Sequence, residues 1–203
     1  MCRRKFSIIC IFTSLVVLWG CAPSIILLHI TPQPLKNVRP LISSDNKITL
    51  FLEPVIGGND PQWYELGKYS WSLEKKPSIL IRETLYKEFP PMGIFLSESP
   101  QNTDGSLRIL VRWFGPYGSS PISAGVILAV ELRKKDQEGV LWRGKFEGGV
   151  VPKALTPVTI NNKELIEEAI AEALTEAITR LVQDAEFYQA ISLLAASKER
   201  VIK

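Results

Sequence analysis

Reactive side chains are scarce in this sequence: among 203 residues there is one histidine, His29, and there are three cysteines, Cys2, Cys10 and Cys21. A serine triad or a Cys-His pair needs an imidazole beside its nucleophile, and His29 is the sole source of one. It sits in an apolar stretch, where a structural role is the ordinary one for a lone histidine. Zinc sites of the common kinds need several His and Cys ligands, which the sequence cannot supply. The paired glycines of GGNDP and EGGVVPK lack the G-x-x-x-x-G-K-[ST] arrangement that cradles phosphate. Carboxylates are plentiful, but the densest group, Glu164, Glu167, Glu168, Glu172 and Glu176, lines one segment near the C-terminus, and Asp104 and Asp136 fall in turn sequences, where aspartate is at home. The composition points away from an enzyme, with no cofactor and no metal expected.

Long hydrophobic runs are missing too. Arg3, Arg4 and Lys5 are followed by fourteen uncharged residues, Phe6 to Trp19. As a helix these span roughly 21 Å at about 1.5 Å per residue, short of the ~30 Å hydrocarbon core of a bilayer. A charged start and a short apolar run have the layout of a cleaved secretory signal. The alternative is an uncleaved anchor continuing through Ile25 to Leu28 with its basic end in the cytoplasm, and Pro23 interrupts it.

The run ends in Leu18, Trp19, Gly20, Cys21, which resembles the lipobox of bacterial lipoproteins. The resemblance implies cleavage between Gly20 and Cys21, a diacylglyceryl group on the Cys21 thiol and an acyl chain, such as palmitate, on the new amino terminus. At ~0.8 kcal/mol per buried methylene, two or three chains hold a protein on a membrane almost permanently. Ala22 stands where an aspartate would signal inner-membrane retention. The expected location is therefore the periplasmic face of the outer membrane, an inner-membrane anchor being the alternative. Cleavage leaves Cys21 as the one mature cysteine, so no disulfide forms. It also removes three of the 24 basic residues, leaving 21 against 21 acidic ones. That balance gives no electrostatic footprint for nucleic acid.

The mature chain is long enough for one domain with a real core. After the signal (1–20), residues 21–47 hold the lipidated terminus, a short strand at Ile25 to Ile30 and a proline-containing connector. Residues 48–184 form the α/β domain, and 185–203 a C-terminal tail with helical character. ITLFLEPV (Ile48 to Val55) reads as a buried strand, Pro77 to Glu88 as a helix opened by proline and stopped by Pro90 and Pro91, and Ile94 to Leu96 as a short strand. LRILVRWF alternates Leu107, Ile109, Val111 and Trp113 against Arg108, Leu110, Arg112 and Phe114, the period of a strand. With Val126 to Leu132 and a return strand through Val140 and Trp142 it makes an antiparallel meander. From an N-cap at Asn162, an apolar stripe through Leu165, Ile166, Ala169, Ile170, Ala173, Leu174, Ala177, Ile178, Leu181 and Val182 predicts a long helix laid on the sheet. Glutamates gather towards its positive end. The fold class is thus α+β: an antiparallel or mixed sheet with two main helices packed on one face, behind a lipoprotein signal peptide.

Five aromatic residues are candidates for a partner interface: Trp63, Tyr64, Tyr69 and Trp71 ahead of the first helix, and Tyr117 in the GPYG turn. Packing over the end of the sheet is the stronger reading of the first four.

A lipobox, a strand directly after it (SIILLHITP), a proline-ended strand (ITLFLEPV), a tryptophan before a helix (YSWSLEKKPSILIRETLYKEF), the strand LRILVRWF, the hairpin AGVILAVELRKKDQEGVLWRGKFEGG and the closing helix ELIEEAIAEALTEAITRLV follow in an order that resembles the ABC-type transport auxiliary lipoproteins, including the PqiC-like proteins. The likeness runs from Cys21 to about Val182. It implies a non-enzymatic docking component of a lipid transport system, tied to the membrane by its lipid. Its partners would be MCE-domain or other periplasmic transport proteins, with further copies of this chain as another candidate. An LptE-like assembly lipoprotein and a lipoprotein regulator or assembly subunit of an envelope machine are the competing readings.

Overall fold

The computed structural model describes residues 25–35, 40–42, 47–58, 63–66, 69–117, 123–135, 139–150 and 162–199. The expected signal peptide, the cleavage position at Gly20 and the lipid attachment at Cys21 lie outside the described residues. In chain order the elements are β1 (Ile25–Leu28), β2 (Ile48–Leu52), β3 (Ile56–Gly57), β4 (Trp63–Leu66), β5 (Tyr69–Leu73), α1 (Pro77–Glu88), β6 (Ile94–Ser97), β7 (Gly105–Tyr117), β8 (Ser123–Lys134), β9 (Trp142–Val150), α2 (Lys163–Gln183) and α3 (Ala185–Glu199).

The large sheet is mixed, with strand order β6-β2-β7-β8-β9 and β3 also paired to β7. β2 runs parallel to both β6 and β7, while β7, β8 and β9 form the expected antiparallel meander. The strand expected at Ile48 to Val55 stops at Leu52 and resumes as β3, because Pro54 has no N–H to give to a ladder. Asp104 ties β2 to the turn before β7: its N–H donates to the Thr49 carbonyl at 2.7 Å, and its carboxylate accepts the Thr49 N–H at 2.8 Å.

One face of this sheet carries the core. Leu107 and Ile109 of β7, Val126, Leu128, Val130 and Leu132 of β8, and Phe146 of β9 are buried against α2 and its neighbours. Side chains of this kind each contribute roughly 1.5–3 kcal/mol relative to exposure. α2 begins at Asn162 as expected, although the Asn162 side chain does not bond the first-turn N–H groups. Ile166, Ile170, Leu174 and Ile178 point into the core, whereas Leu165, at the margin of the stripe, is exposed. The C-terminal tail forms α3, which packs on α2 and β9, with Phe187 against Trp142 at 5.0 Å between ring centroids.

The approach of α2 to β9 is close because both surfaces are bare. Ala169, Ala173 and Ala177 repeat every fourth residue on the helix, and the backbone at Ala173 and Ala177 faces Gly148 of the strand. A Cβ at Gly148 would lie 2.7 Å from the Ala177 nitrogen, a backbone atom that cannot swing aside.

The aromatic segment is a sheet of its own. β4 and β5 form an antiparallel hairpin, and β1 adds parallel to β5, giving the order β1-β5-β4. Trp71, Leu73 and Leu28 fill its inner face. His29 pins the far end of β1: its backbone N–H donates to Glu167 of α2 at 2.6 Å, and its Nδ1 pairs with the Glu74 carboxylate just past β5. This hydrogen bond, and then the charge of His29, hold the Glu74 carboxyl below its ordinary value of 4.5.

Two outcomes follow for stability. Gly148→Ala should cost about 3 kcal/mol, the upper end of ordinary overpacking, read as a drop in the urea midpoint. A depressed carboxyl pKa contributes stability that is present above the unfolded-state pKa and is lost as pH falls through the folded one. The midpoint of Glu74→Gln should therefore lie below that of the parent at pH 6, and the gap should close as the pH is taken down through 4.5.

Candidate functional site: an aromatic groove on the open sheet face

The register of β7 against β8 shifts between Val111 and Trp113. An extra residue in one strand of an antiparallel pair bends it and exchanges the faces of everything beyond. Up to Val111 the alternation is the expected one. Past Arg112 it is reversed: Phe114 enters the core, fully buried, and Trp113 moves to the outer face opposite Ile127. Strict alternation would have put Trp113 inside and Phe114 outside.

Trp113 and Tyr117 then stand on the same face and meet edge to face, 6.5 Å apart at 80°. The indole is fixed by a hydrogen bond from its Nε1 to the Gly115 carbonyl at 3.2 Å. Between these rings and the β9 edge lies a groove of about 490 Å³. Gly125, Gly149 and Ile127 form its floor, and Glu147 and Arg180 its far wall. The glycines keep it open: a Cβ at Gly125 would come within 2.9 Å of the Tyr117 ring.

The polar wall is organised by α2. Glu176 accepts the Gly149 N–H through Oε2 at 2.8 Å and receives Arg180 Nη2 on Oε1 at 2.6 Å, so one carboxylate holds both the strand edge and the guanidinium. The Glu147 carboxyl is kept below its ordinary value first by the hydrogen bond from Lys145, then by that ammonium's charge, with a smaller contribution from Arg180. An aromatic side and a bare floor beside the Arg180–Glu176 ion pair and the Glu147 carboxylate suit capture of an apolar side chain or short segment with a polar partner at the rim. A smaller cleft of about 300 Å³ lies between the end of β2 and α1, beside the Arg82–Glu98 ion pair.

The five aromatic candidates are divided by the fold. Trp71 and Tyr64 are core residues, 0% and 6% exposed, and cannot meet a partner as the chain is folded here. Trp71 fills the space between the small sheet and the body, and the Tyr64 hydroxyl donates to the Phe114 carbonyl. Gly115, at φ +135°, makes room for that ring: a Cβ there would lie 2.5 Å from Tyr64 Cε1. Tyr69 is half-buried, edge-on to Trp71 at 6.3 Å. Trp63 lies in β4, its side chain outside the described residues. Tyr117 is 45% exposed and lines the groove. Trp113, Gly149, Glu147 and Arg180 went unrecognised in the sequence, where no periodicity announces the bulge that brings Trp113 outward.

Among the described residues no group of three or more His, Cys, Asp or Glu converges in a metal-like cluster, and no helix is long and apolar enough to cross a membrane. No family model and no curated protein sequence matches the chain. Solved structures do. Protein XCC0632 from Xanthomonas campestris, of family DUF330, superposes with a TM-score of 0.57 at 16% identity, over 87% of this chain and 98% of its own. The hypothetical protein CT253 from Chlamydia trachomatis gives 0.46 at 9% identity, over 74% and 99% of the two chains. Lipoprotein GNA1162 from Neisseria meningitidis gives 0.37 at 10% identity, over 61% and 94%. The chain is similar in fold to the DUF330 protein along nearly its whole length.

Proposed function

We propose that the protein is a lipid-anchored, non-enzymatic docking component on the periplasmic face of the outer membrane, serving an ABC- and MCE-type lipid transport system. The observation that carries this reading is the Leu18-Trp19-Gly20-Cys21 sequence, four residues ahead of β1. It puts an acyl-modified terminus directly on a folded domain. The fold likeness to the DUF330 protein supports the domain half of the reading. The groove supports the docking half, since a rigid aromatic pair beside an oriented arginine has the chemistry that anchors protein interfaces. Tethering works by concentration: confined to one membrane, a docking surface meets a periplasm-spanning partner far more often than the same domain would in solution.

Metabolic labelling with a palmitate analogue should mark the wild-type chain and leave Cys21→Ala unmarked, with the variant keeping its first twenty residues. Gly149→Leu is the complementary test of the groove. A Cβ at Gly149 meets nothing closer than 3.8 Å, so the larger side chain occupies the groove while the backbone stays in place. The variant should fold with an unchanged urea midpoint, and its affinity for an MCE-domain partner, measured by titration, should fall by about 2 kcal/mol, roughly 30-fold. Crosslinking from Tyr117 that recovers an outer-membrane barrel and no MCE-domain protein would overturn the transport assignment.

A further inference from the structure

The first described strand exposes two large aliphatic side chains. Along β1, Ile26 and Leu28 turn inward while Ile25 and Leu27 turn out, 47% and 49% exposed. Burial and sequence alternate in step, so this is one face of a strand. β1 is also the edge of its sheet, with β5 on one side and no other strand of the described residues beyond it. Natural proteins usually blunt such an edge with charge or proline, because outward aliphatics there invite association. Beside Ile25 and Leu27 the register places Ser70 and Ser72 of β5 on the same face, then Glu65 and Trp63 of β4 two strands away.

Chain length restricts what can cover this edge. Three residues, Ala22 to Ser24, separate Cys21 from Ile25, and a fully extended chain spans at most about 3.6 Å per residue, so the two Cα atoms stand no more than about 14 Å apart. The end of β4 and the start of β5 lie at this end of the sheet too, because β5 runs parallel to β1.

We infer that the outward face of β1, through Ile25 and Leu27, rests in the headgroup–acyl boundary of the bilayer that holds the lipid, fixing the domain's orientation on the membrane. The inference rests on the Cys21 anchor and goes beyond it: a tether alone leaves the domain free to tumble, whereas an aliphatic edge that starts within about 14 Å of the tethered residue's Cα turns one defined side to the lipid. Glu65 then faces the headgroup layer, where its carboxylate keeps its water.

The test uses the full chain processed from its own signal. Once Cys21 is a thioether, a cysteine placed at Leu27 is the single free thiol of the mature protein and takes an environment-sensitive fluorophore alone. Leu193→Cys, on α3 and 62% exposed, serves as the reference site. In vesicles of phosphatidylethanolamine and phosphatidylglycerol, quenching by headgroup-nitroxide lipid should be several-fold stronger at position 27 than at 193. Adding Ile25→Ser to the Leu27→Cys chain should reduce that difference. Intact mass separates the two ways of failing. Acyl mass on Cys21 with equal quenching at both sites overturns the orientation alone, while an unmodified Cys21 overturns the anchor and the orientation with it.

Discussion

The absence of a side chain at Gly148 lets α2 lie directly on β9, and that contact decides which face of the sheet is core and which is open. With the backbone at Ala173 and Ala177 against the strand, the helix axis comes close enough for Ile170, Leu174 and Ile178 to fill the space over β8. The same closeness lets the helix reach the strand's outer edge, where Glu176 takes the Gly149 N–H. A carboxylate accepting a backbone N–H and a guanidinium together is held more firmly than by either alone. Arg180 is therefore presented to the groove by the core packing itself. The polar wall of the site follows from the contact that stabilises the fold.

The second constraint is the bulge at Arg112. It changes the face of Trp113 and Phe114, and two distant parts of the molecule depend on that exchange. Phe114 goes inward, and its carbonyl accepts the Tyr64 hydroxyl, which fastens the small sheet to the end of β7. Trp113 goes outward and supplies half of the aromatic wall. Bulges bend strands and re-aim side chains, and here one insertion both docks the small sheet and opens the site.

Much of the framework was legible in the sequence. The helix at Pro77 to Glu88 was marked by proline at its start and two prolines at its end, the meander by period-two runs on either side of turn residues, and α2 by its apolar stripe. These signals are local, and physics acting within a few residues sets them. What was not legible is set by distant contacts. β5 alternates Tyr69, Trp71 and Leu73 against Ser70 and Ser72, but β4 carries no such period, and the pairing of β5 with β1 joins residues more than forty positions apart. Trp113 was assigned to the wrong face because a bulge leaves no trace in hydrophobic period. Nor could spacing announce the groove, whose floor joins Gly125 to Gly149 and whose cation, Arg180, arrives from the helix that follows.

The joint at Tyr64 links the membrane-proximal strand of the proposed arrangement to the groove. Tyr64 pairs in register with Trp71, and Trp71 with Ile26, so β1 stands two strand spacings, roughly 10 Å, from the ring that abuts Gly115. Gly115 lies between Trp113 and Tyr117. If Cys21 carries the lipid, the aromatic wall is then separated from the anchored strand by a rigid hairpin rather than a flexible linker. A long connector would let the docking surface sample a wide shell above the bilayer and dilute its effective concentration. In the proposed arrangement the paired strands would instead hold it at a set height and azimuth, so that a partner reaching the membrane would meet the groove in one orientation.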